Sequence, residues 1–265
     1  MALINHITKN LSIKIVFYGP GLSGKTTNLR YIFFKMDPVS RGEFICLETD
    51  TERTFFFDLL PLRAGRIGHY KIHFQLLTVP GQVFFEASRK SVVKSADGIV
   101  FVADSQVPLL DANLESFDSL RNNLREYDMD INTIPMVLQY NKRDLENLVP
   151  VETFNNLLNP KSCPYIESSA IFGRGVIETL KEISKLTIPA VREKLLDELE
   201  EKSDSKEGEK EKDIIQKASP QEGIEFTMSK ETPELQVHKI KMKSQEAVEK
   251  KLEELAREYT DSSEE

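Results

Sequence analysis

The octapeptide Gly19-Pro20-Gly21-Leu22-Ser23-Gly24-Lys25-Thr26 constrains this 265-residue chain more than any other stretch. It fits the phosphate-binding pattern G-x-x-x-x-G-K-[ST], in which glycines let backbone N–H groups approach a phosphate chain closely. The apolar run 13–18 before it predicts a buried strand, and residues 27–34 after it predict a helix. A glycine turn between a strand and a helix N-terminus is an anion site, whereas an ordinary glycine-rich turn needs no such context. The octapeptide therefore predicts a phosphate-binding loop (P-loop).

Each side chain of the loop has an expected role. Lys25 should reach the β- and γ-phosphates of a nucleotide, and the Thr26 hydroxyl should ligate Mg²⁺. The residues expected to contact nucleotide along this stretch are Gly19, Gly21, Leu22, Ser23, Gly24, Lys25, Thr26 and Thr27.

Composition excludes several classes of protein. No apolar run approaches the ~20 residues of a membrane span, so no integral membrane segment is expected. Two cysteines and the lack of a signal-peptide pattern favour a reducing, cytoplasmic location. The net charge of −8 belongs to the C-terminal part, since residues 197–265 hold 21 acidic and 12 basic side chains. The nearly neutral remainder argues against nucleic acid as a partner.

Strand and helix patterns alternate along the first ~190 residues, which predicts an α/β fold with a mostly parallel sheet. We expect a P-loop NTPase domain over residues 1–190 and a charged extension over 191–265.

The polar stretch that ends the possible strand 44–54 is a candidate switch segment. A second hydroxyl, from Thr51 or Thr54, should meet Mg²⁺ and the γ-phosphate there. Arg53 could neutralise charge on the transferred phosphoryl group, as an arginine finger supplied in cis. On spacing alone, a surface loop with Arg53 in a routine ion pair explains the stretch equally well.

A strand over residues 70–79 leads into Pro80-Gly81-Gln82. In a P-loop GTPase this strand end carries D-x-x-G, often followed by Gln. The Gly81 N–H can still bind the γ-phosphate, and Gln82 can still orient the attacking water. Thr78 occupies the position of the Asp, so the sequence lacks the expected outer-shell carboxylate for Mg²⁺.

Asn141-Lys142-Arg143-Asp144 follows another predicted strand and fits N-K-x-D. The Asp144 carboxylate can accept two hydrogen bonds from guanine that adenine cannot donate. Asn141 should tie this base loop to the P-loop, and the Lys142 stem should pack on the base. The small turn at Ser169-Ala170 should complete the site, with the Ala170 N–H meeting guanine O6.

With these motifs, residues 1 to about 190 resemble the bacterial MglA subfamily of Ras-like small GTPases. The resemblance rests on residues 18–29, 78–82 and 141–144. It implies a three-layer α/β/α fold, GTP/GDP and Mg²⁺ as ligands, and Thr as the normal residue at position 78. It also implies a finger role for Arg53 and a Mg²⁺ and γ-phosphate role for Thr54.

The resemblance implies partners as well. Members of the subfamily switch cell polarity or motility through effector proteins. They work with a homodimeric Roadblock-fold partner that stimulates hydrolysis, and they can be recruited to a cell pole.

The extension departs from the subfamily pattern. We expect a helix over Ala190–Lys202, with a break at Pro189, and disorder over Ser203–Ser219. Gly223–Met242 could form short strands or a docking motif, and residues 244–259 fit an amphipathic partner helix or a solvated tail.

Three functions follow in order of preference. The first is a GTP-hydrolysing molecular switch. The second is a GTP-binding scaffold with negligible hydrolysis that acts through its tail, which Thr78 favours and which Arg53 and Gln82 oppose. The third is a metabolic kinase, which Asn141-Lys142-Arg143-Asp144 disfavours.

Overall fold

The computed structural model describes residues 2–49, 57–80, 86–159 and 161–201, with 215, 226–229, 237–242, 247, 250–251, 253–255 and 257–258 of the extension. Its strands are β1 (Leu3–Asn5), β2 (Asn10–Tyr18), β3 (Phe44–Thr49), β4 (Phe57–Ile67), β5 (Tyr70–Thr78), β6 (Gly98–Asp104), β7 (Met136–Asn141), β8 (Tyr165–Glu167) and β9 (Val237–Met242). Its α-helices are α1 (Lys25–Lys35), α2 (Glu86–Val93), α3 (Leu110–Arg125), α4 (Val151–Leu158) and α5 (Val176–Glu201).

The strands form one sheet in the order β8-β7-β6-β2-β5-β4-β3-β9, with β1 beside β2. From β8 to β5 all pairs are parallel, while β4 pairs antiparallel with both β5 and β3. The predicted α/β fold with a mostly parallel sheet is confirmed.

Helices cover both faces of the sheet, as in a three-layer fold. On one face α1 and α5 enter a core with Leu29, Ile32 and Leu180 buried; on the other, α2, α3 and α4 enter a second core with Phe117 and Phe154 buried. Strands covered on both faces are nearly continuous apolar runs. All seven residues of β6 are buried, and the five from Ile99 to Ala103 are apolar.

The carboxyl ends of the parallel strands meet at one edge. Phe17 of β2 pairs with Thr78 of β5, and Asp104 of β6 pairs with Asn141 of β7. Ligands of open α/β sheets bind outside these ends, and the P-loop and the base loop both begin there.

Helix α5 passes through Pro189 without a break, contrary to the sequence expectation. Proline removes one helical N–H, but Ile188, Val191, Leu195 and Leu199 are buried in the same core as α1. Burial of this apolar stripe outweighs one lost hydrogen bond. The helix therefore continues beyond residue 190, where the division of the chain was expected.

Parts of the extension pack on the sheet. β9 pairs in parallel with β3, so the strand alternative for Val237-His238-Lys239-Ile240 is correct. Ile215 is buried in the α1/α5 core, and Phe226 packs against it. The described positions between 247 and 258 are helical, and Leu255 is buried in the second core. The other residues expected to be disordered, 203–214 and 216–219, lie outside the described residues.

Candidate nucleotide-binding site

The P-loop has backbone angles that favour glycine at two positions. Gly19 has a φ of 144°, and a Cβ there would lie 2.2 Å from the Val102 carbonyl oxygen. Gly24 has a φ of 102° and precedes the first residue of α1. Between them Leu22, also at positive φ, leaves its side chain 92% exposed. The loop is therefore shaped by its backbone and not by side-chain packing.

Lys25 lies buried beneath the loop. Its ammonium group donates to the carbonyl oxygens of Gly19 and Pro20, over 2.9 and 2.6 Å. Burial, with a smaller effect of the Arg89 charge, lowers the pKa of Lys25 to about 7, while the Asp58 carboxylate opposes the change. An ammonium whose described partners are neutral carbonyls would gain strongly from a phosphate anion.

The Ser23 side chain also indicates that a phosphate binds at this loop. Its hydroxyl is buried and has no hydrogen-bond partner among the described residues. A buried polar atom without a partner costs free energy, which a phosphate oxygen at the loop would recover. The lysine and the serine hydroxyl together fit a nucleotide phosphate.

Asp58 supplies a carboxylate that the sequence analysis missed. The Thr26 hydroxyl donates to Asp58 Oδ2 over 2.7 Å, and the Thr78 hydroxyl donates to the same oxygen over 3.2 Å. The Asp58 N–H in turn donates to Thr78 Oγ1 over 2.9 Å. Asp58 is 7% exposed, on the strand next to the one that ends in Thr78. A single acid inside an apolar strand was the signal that could have identified it.

Two hydroxyls and a carboxylate form a set of hard oxygen ligands, which is the chemistry that Mg²⁺ prefers. Thr26 and Asp58 are the described residues that would hold the ion, directly or through its water. Asp58 of β4 would thus supply the carboxylate that position 78 lacks.

Asn141 joins the base loop to the P-loop. Its amide nitrogen donates to the Ser23 carbonyl over 2.8 Å, while its Oδ1 accepts from the Ala170 N–H over 2.8 Å and from Ser168 Oγ over 3.1 Å. A Cβ at Gly24 would lie 2.2 Å from Asn141 Nδ2, so the glycine leaves room for the amide. The expected contact of the Ala170 N–H with guanine O6 would require that this N–H be shared with Asn141.

The side chains of Lys142 and Asp144 in the base loop each have a partner. Lys142 Nζ forms an ion pair with the buried Asp104 carboxylate over 2.5 Å. Asp144 is exposed, and its Oδ1 accepts a short hydrogen bond from Ser169 Oγ. Asp144 therefore presents its second oxygen at the surface of the base loop.

Several residues of the expected site lie outside the described residues. They are Thr51, Arg53, Thr54, Gly81 and Gln82. Thr27 lies in the first turn of α1, half-buried.

None of the helices in the described ranges combines the length and the apolar character needed to cross a membrane.

The fold and the joined loops define a P-loop nucleotide-binding protein of the α/β class. A family model described as the Ras family matches residues 14–188, and the chain therefore belongs to the Ras family. It is 50% identical over 192 residues to the mutual gliding-motility protein MglA of Myxococcus xanthus (strain DK1622), a match that spans 72% of this chain and 98% of that relative. The resemblance to MglA-type Ras-like GTPases is confirmed.

Proposed function

We propose that this protein is a GTP-binding molecular switch that hydrolyses GTP to GDP and acts through partner proteins. The observation that carries the proposal is the Asn141 side chain, which bonds the P-loop at Ser23 and the base loop at Ala170. One residue thereby fixes the phosphate and base subsites relative to each other, as a nucleotide spanning both requires.

Asp144 would select guanine. The hydrogen bond from Ser169 fixes one of its oxygens and orients the carboxylate. A carboxylate accepts from the guanine N1–H and exocyclic amine, and the adenine edge would leave it unpaired.

The magnesium ion would be held by Thr26, Asp58 and Thr54. Of these, Thr54 is assigned from the sequence alone. Mg²⁺, when bound, would neutralise the β- and γ-phosphates. The chain would contribute by holding two of these ligands in place before the ion binds, since the Thr26 hydroxyl is already hydrogen-bonded to Asp58.

Hydrolysis would depend on Gln82 and Arg53. Gln82 would orient the attacking water, the Gly81 N–H would bind the γ-phosphate, and Arg53 would stabilise the transferred phosphoryl group. We expect slow turnover by the protein alone, and faster turnover when a Roadblock-type homodimer orders both side chains.

The cellular role would be control of cell polarity or motility. The name of the Myxococcus relative, a mutual gliding-motility protein, supports motility. Effector proteins would bind the GTP form, in the cytoplasm or at a cell pole.

The alternative, a GTP-binding scaffold with negligible hydrolysis, depended on Thr78. Asp58 places a carboxylate 2.7 Å from the Thr26 hydroxyl, which supports the hydrolysing switch over that alternative.

Single-turnover hydrolysis of GTP and ATP with Mg²⁺ tests the proposal. Wild type should turn over GTP but not ATP, and a Roadblock-type homodimer should increase the rate. Gln82→Ala and Arg53→Ala should each abolish the increase, while Arg66→Ala, at an exposed arginine, should not. Tight GTP binding with no turnover, even with the homodimer, would support the scaffold instead.

Base selection has its own test. Asp144→Asn replaces an acceptor with an amide donor, so it should weaken GTP binding and strengthen binding of xanthosine triphosphate. Glu146→Gln, at an exposed acid of the same loop, is the matched control. Unchanged preference for GTP in the Asp144 variant would remove the base assignment.

A further inference from the structure

The C-terminal arm is defined as the described residues 226–229, β9 and the described positions from 247 to 258. It extends the sheet at the β3 edge and contacts the cores on both faces, through Phe226 on one face and Leu255 on the other. The Asp37 N–H donates to the Thr227 carbonyl over 2.9 Å, and the Ser229 N–H donates to the Lys35 carbonyl over 2.7 Å. The Phe226 ring lies 6.0 Å from the Phe74 ring. The arm is thus attached to the end of α1 before β9 joins the sheet edge.

β3 has more partners in the arm than in the rest of the sheet. Its six residues from Phe44 to Thr49 each pair with a residue of β9, whereas only three register positions, Ile45 to Leu47, pair with β4. Among the described pairings, the last two residues of β3 are held by β9 alone. The position of β3 therefore depends on the arm.

β3 leads directly into the candidate switch segment. Thr49 pairs with Met242, and the next residues, 50–56, include Arg53 and Thr54. β4 begins at Phe57, and its second residue is Asp58, opposite Cys46 of β3. The strand that pairs with the arm, β3, therefore leads into the candidate switch segment at one end and pairs with Asp58, the candidate Mg²⁺ carboxylate, through Cys46.

The arm is fixed by apolar burial more than by charge. Ile240 packs against the core that contains Ile45 and Leu59, and Leu255 is 5% exposed in the same core. The ion pair of His238 with Glu43, at 3.6 Å, has both side chains more than half exposed and contributes little. An edge strand with such an apolar contact is a docked element and not a surface tail.

The arm lies outside residues 14–188, which the Ras family model matches. The match to the Myxococcus relative likewise covers 98% of that relative but only 72% of this chain. The arm therefore adds to the Ras-family domain.

We propose that the C-terminal arm is an intramolecular positioning element for the GTPase site, which acts by holding β3 as far as Thr49, the last residue before the candidate switch segment. The inference rests on the proposed function. The described residues that flank the segment, Thr49 and Phe57, are both in paired strands. Fixing the two points between which a segment runs lowers the entropy cost of bringing its side chains to a ligand. Release of the arm should therefore slow hydrolysis.

The test uses full-length protein with Cys163 replaced by serine, so that Cys46 is the remaining thiol. Cys46 is 9% exposed and pairs with Lys239, so its rate of reaction with a thiol reagent reports whether β9 is docked. Successive N–H groups of a strand point to opposite sides, so either Lys239 or Ile240 donates towards β3. In that background, the double substitution Lys239→Pro with Ile240→Pro removes this N–H in either case. Lys239→Ala with Ile240→Ala is the matched control, since it keeps both N–H groups.

The double-proline variant should expose Cys46 and slow single-turnover GTP hydrolysis about fivefold relative to the double-alanine control. Unchanged Cys46 reactivity would show that β9 does not cover β3. An exposed Cys46 with unchanged or faster hydrolysis would overturn the positioning role.

A cross-linked variant keeps the test valid if the double-proline protein folds poorly. Paired strands lie about 4.7–4.9 Å apart, within the range that a disulfide spans, so Lys239→Cys can be oxidised onto Cys46. The oxidised protein should hydrolyse GTP within about twofold of its reduced form, because the arm is already docked. Loss of hydrolysis on oxidation would overturn the proposal, since the arm would then have to leave.

Failure of the proposed function gives a different result. If wild type turns over no GTP, the switch mechanism is wrong, whereas Cys46 reactivity still reports docking. The release rate of a fluorescent GTP analogue then decides the inference: faster release from the double-proline variant supports positioning by the arm, and equal release overturns it.

Discussion

The Thr26 hydroxyl donates a 2.7 Å hydrogen bond to the Asp58 carboxylate, which joins the first turn of α1 to the second residue of β4. The substitution Asp58→Asn keeps the shape of this side chain and removes its negative charge. It should raise the Mg²⁺ concentration needed to retain bound GTP by about tenfold or more. Nucleotide release measured across a Mg²⁺ titration tests this, with Asp111→Asn, at an exposed acid, as the control. An unchanged Mg²⁺ requirement would separate Asp58 from the metal.

Thr78→Asp restores the D-x-x-G motif but should lower the free energy of unfolding. The new carboxylate would stand where the Thr78 hydroxyl lies 3.2 Å from Asp58 Oδ2, at a position 2% exposed. Like charges raise the pKa of one carboxyl group above its value in the unfolded chain. The penalty is therefore full above that raised pKa, shrinks as pH falls between it and the pKa of the unfolded chain, and is gone below both. We expect a loss of about 1–3 kcal/mol at pH 7.5 that shrinks toward pH 5.

Thermal unfolding of wild type, Thr78→Asp and Thr78→Asn at both pH values measures the effect. The asparagine has the same shape without charge, so its deficit should not change with pH. A Thr78→Asp deficit that is equal at both pH values would show that shape, not charge, excludes aspartate.

Gly24 and Asn141 should be coupled. A Cβ at Gly24 meets Asn141 Nδ2 at 2.2 Å, and that amide is fixed by its bond to Ser23. Gly24→Ala should cost about 2 kcal/mol of unfolding free energy, partly from this contact and partly from the positive φ. In an Asn141→Ala background the contact disappears, so the cost should fall by about 1 kcal/mol. Urea unfolding of the four proteins gives the coupling, and additive losses would contradict it.

Nucleotide binding should take up a proton. Burial lowers the pKa of Lys25 to about 7, and a bound phosphate favours the charged ammonium and raises that pKa again. At pH 8 most of a proton should be taken up per nucleotide bound, and affinity should fall as pH rises above 7. Calorimetry of GDP binding in buffers of different ionisation enthalpy measures the uptake.

Lys25→Arg is the control for proton uptake. Arginine stays charged at these pH values, so its variant should bind GDP more weakly and take up no proton through this residue. Equal uptake by both proteins would assign the proton to another group.

Local patterns were sufficient to predict the strand and helix on either side of the P-loop and the strand before the base loop. The run from β2 through Gly24 into α1 is continuous in sequence, and Asn141 to Asp144 directly follow a buried strand. Each motif carries its own turn chemistry, so no distant contact is needed to recognise it.

Asp58 and β9 required the tertiary structure. Asp58 comes 20 residues before Thr78, and its role depends on antiparallel pairing of β4 with β5. Short strands were one of two alternatives for this stretch, but the pairing of β9 with β3 spans more than 190 residues of chain, and no local pattern indicates such a distant partner. The expected break at Pro189 failed because burial on both sides of the proline decided the path of α5.

The pairing of β9 with β3 also governs how this protein can be labelled. A fluorescent protein joined to the chain directly after Glu258 would compete with the packing of the arm on the sheet, so altered localisation or activity of such a fusion would not describe the native protein. The N-terminal end offers no simpler place, because Ala2 is buried and its carbonyl accepts a hydrogen bond from Lys194. The exposed turn at Asp130–Thr133, between α3 and β7, is a better insertion point for a reporter in living cells.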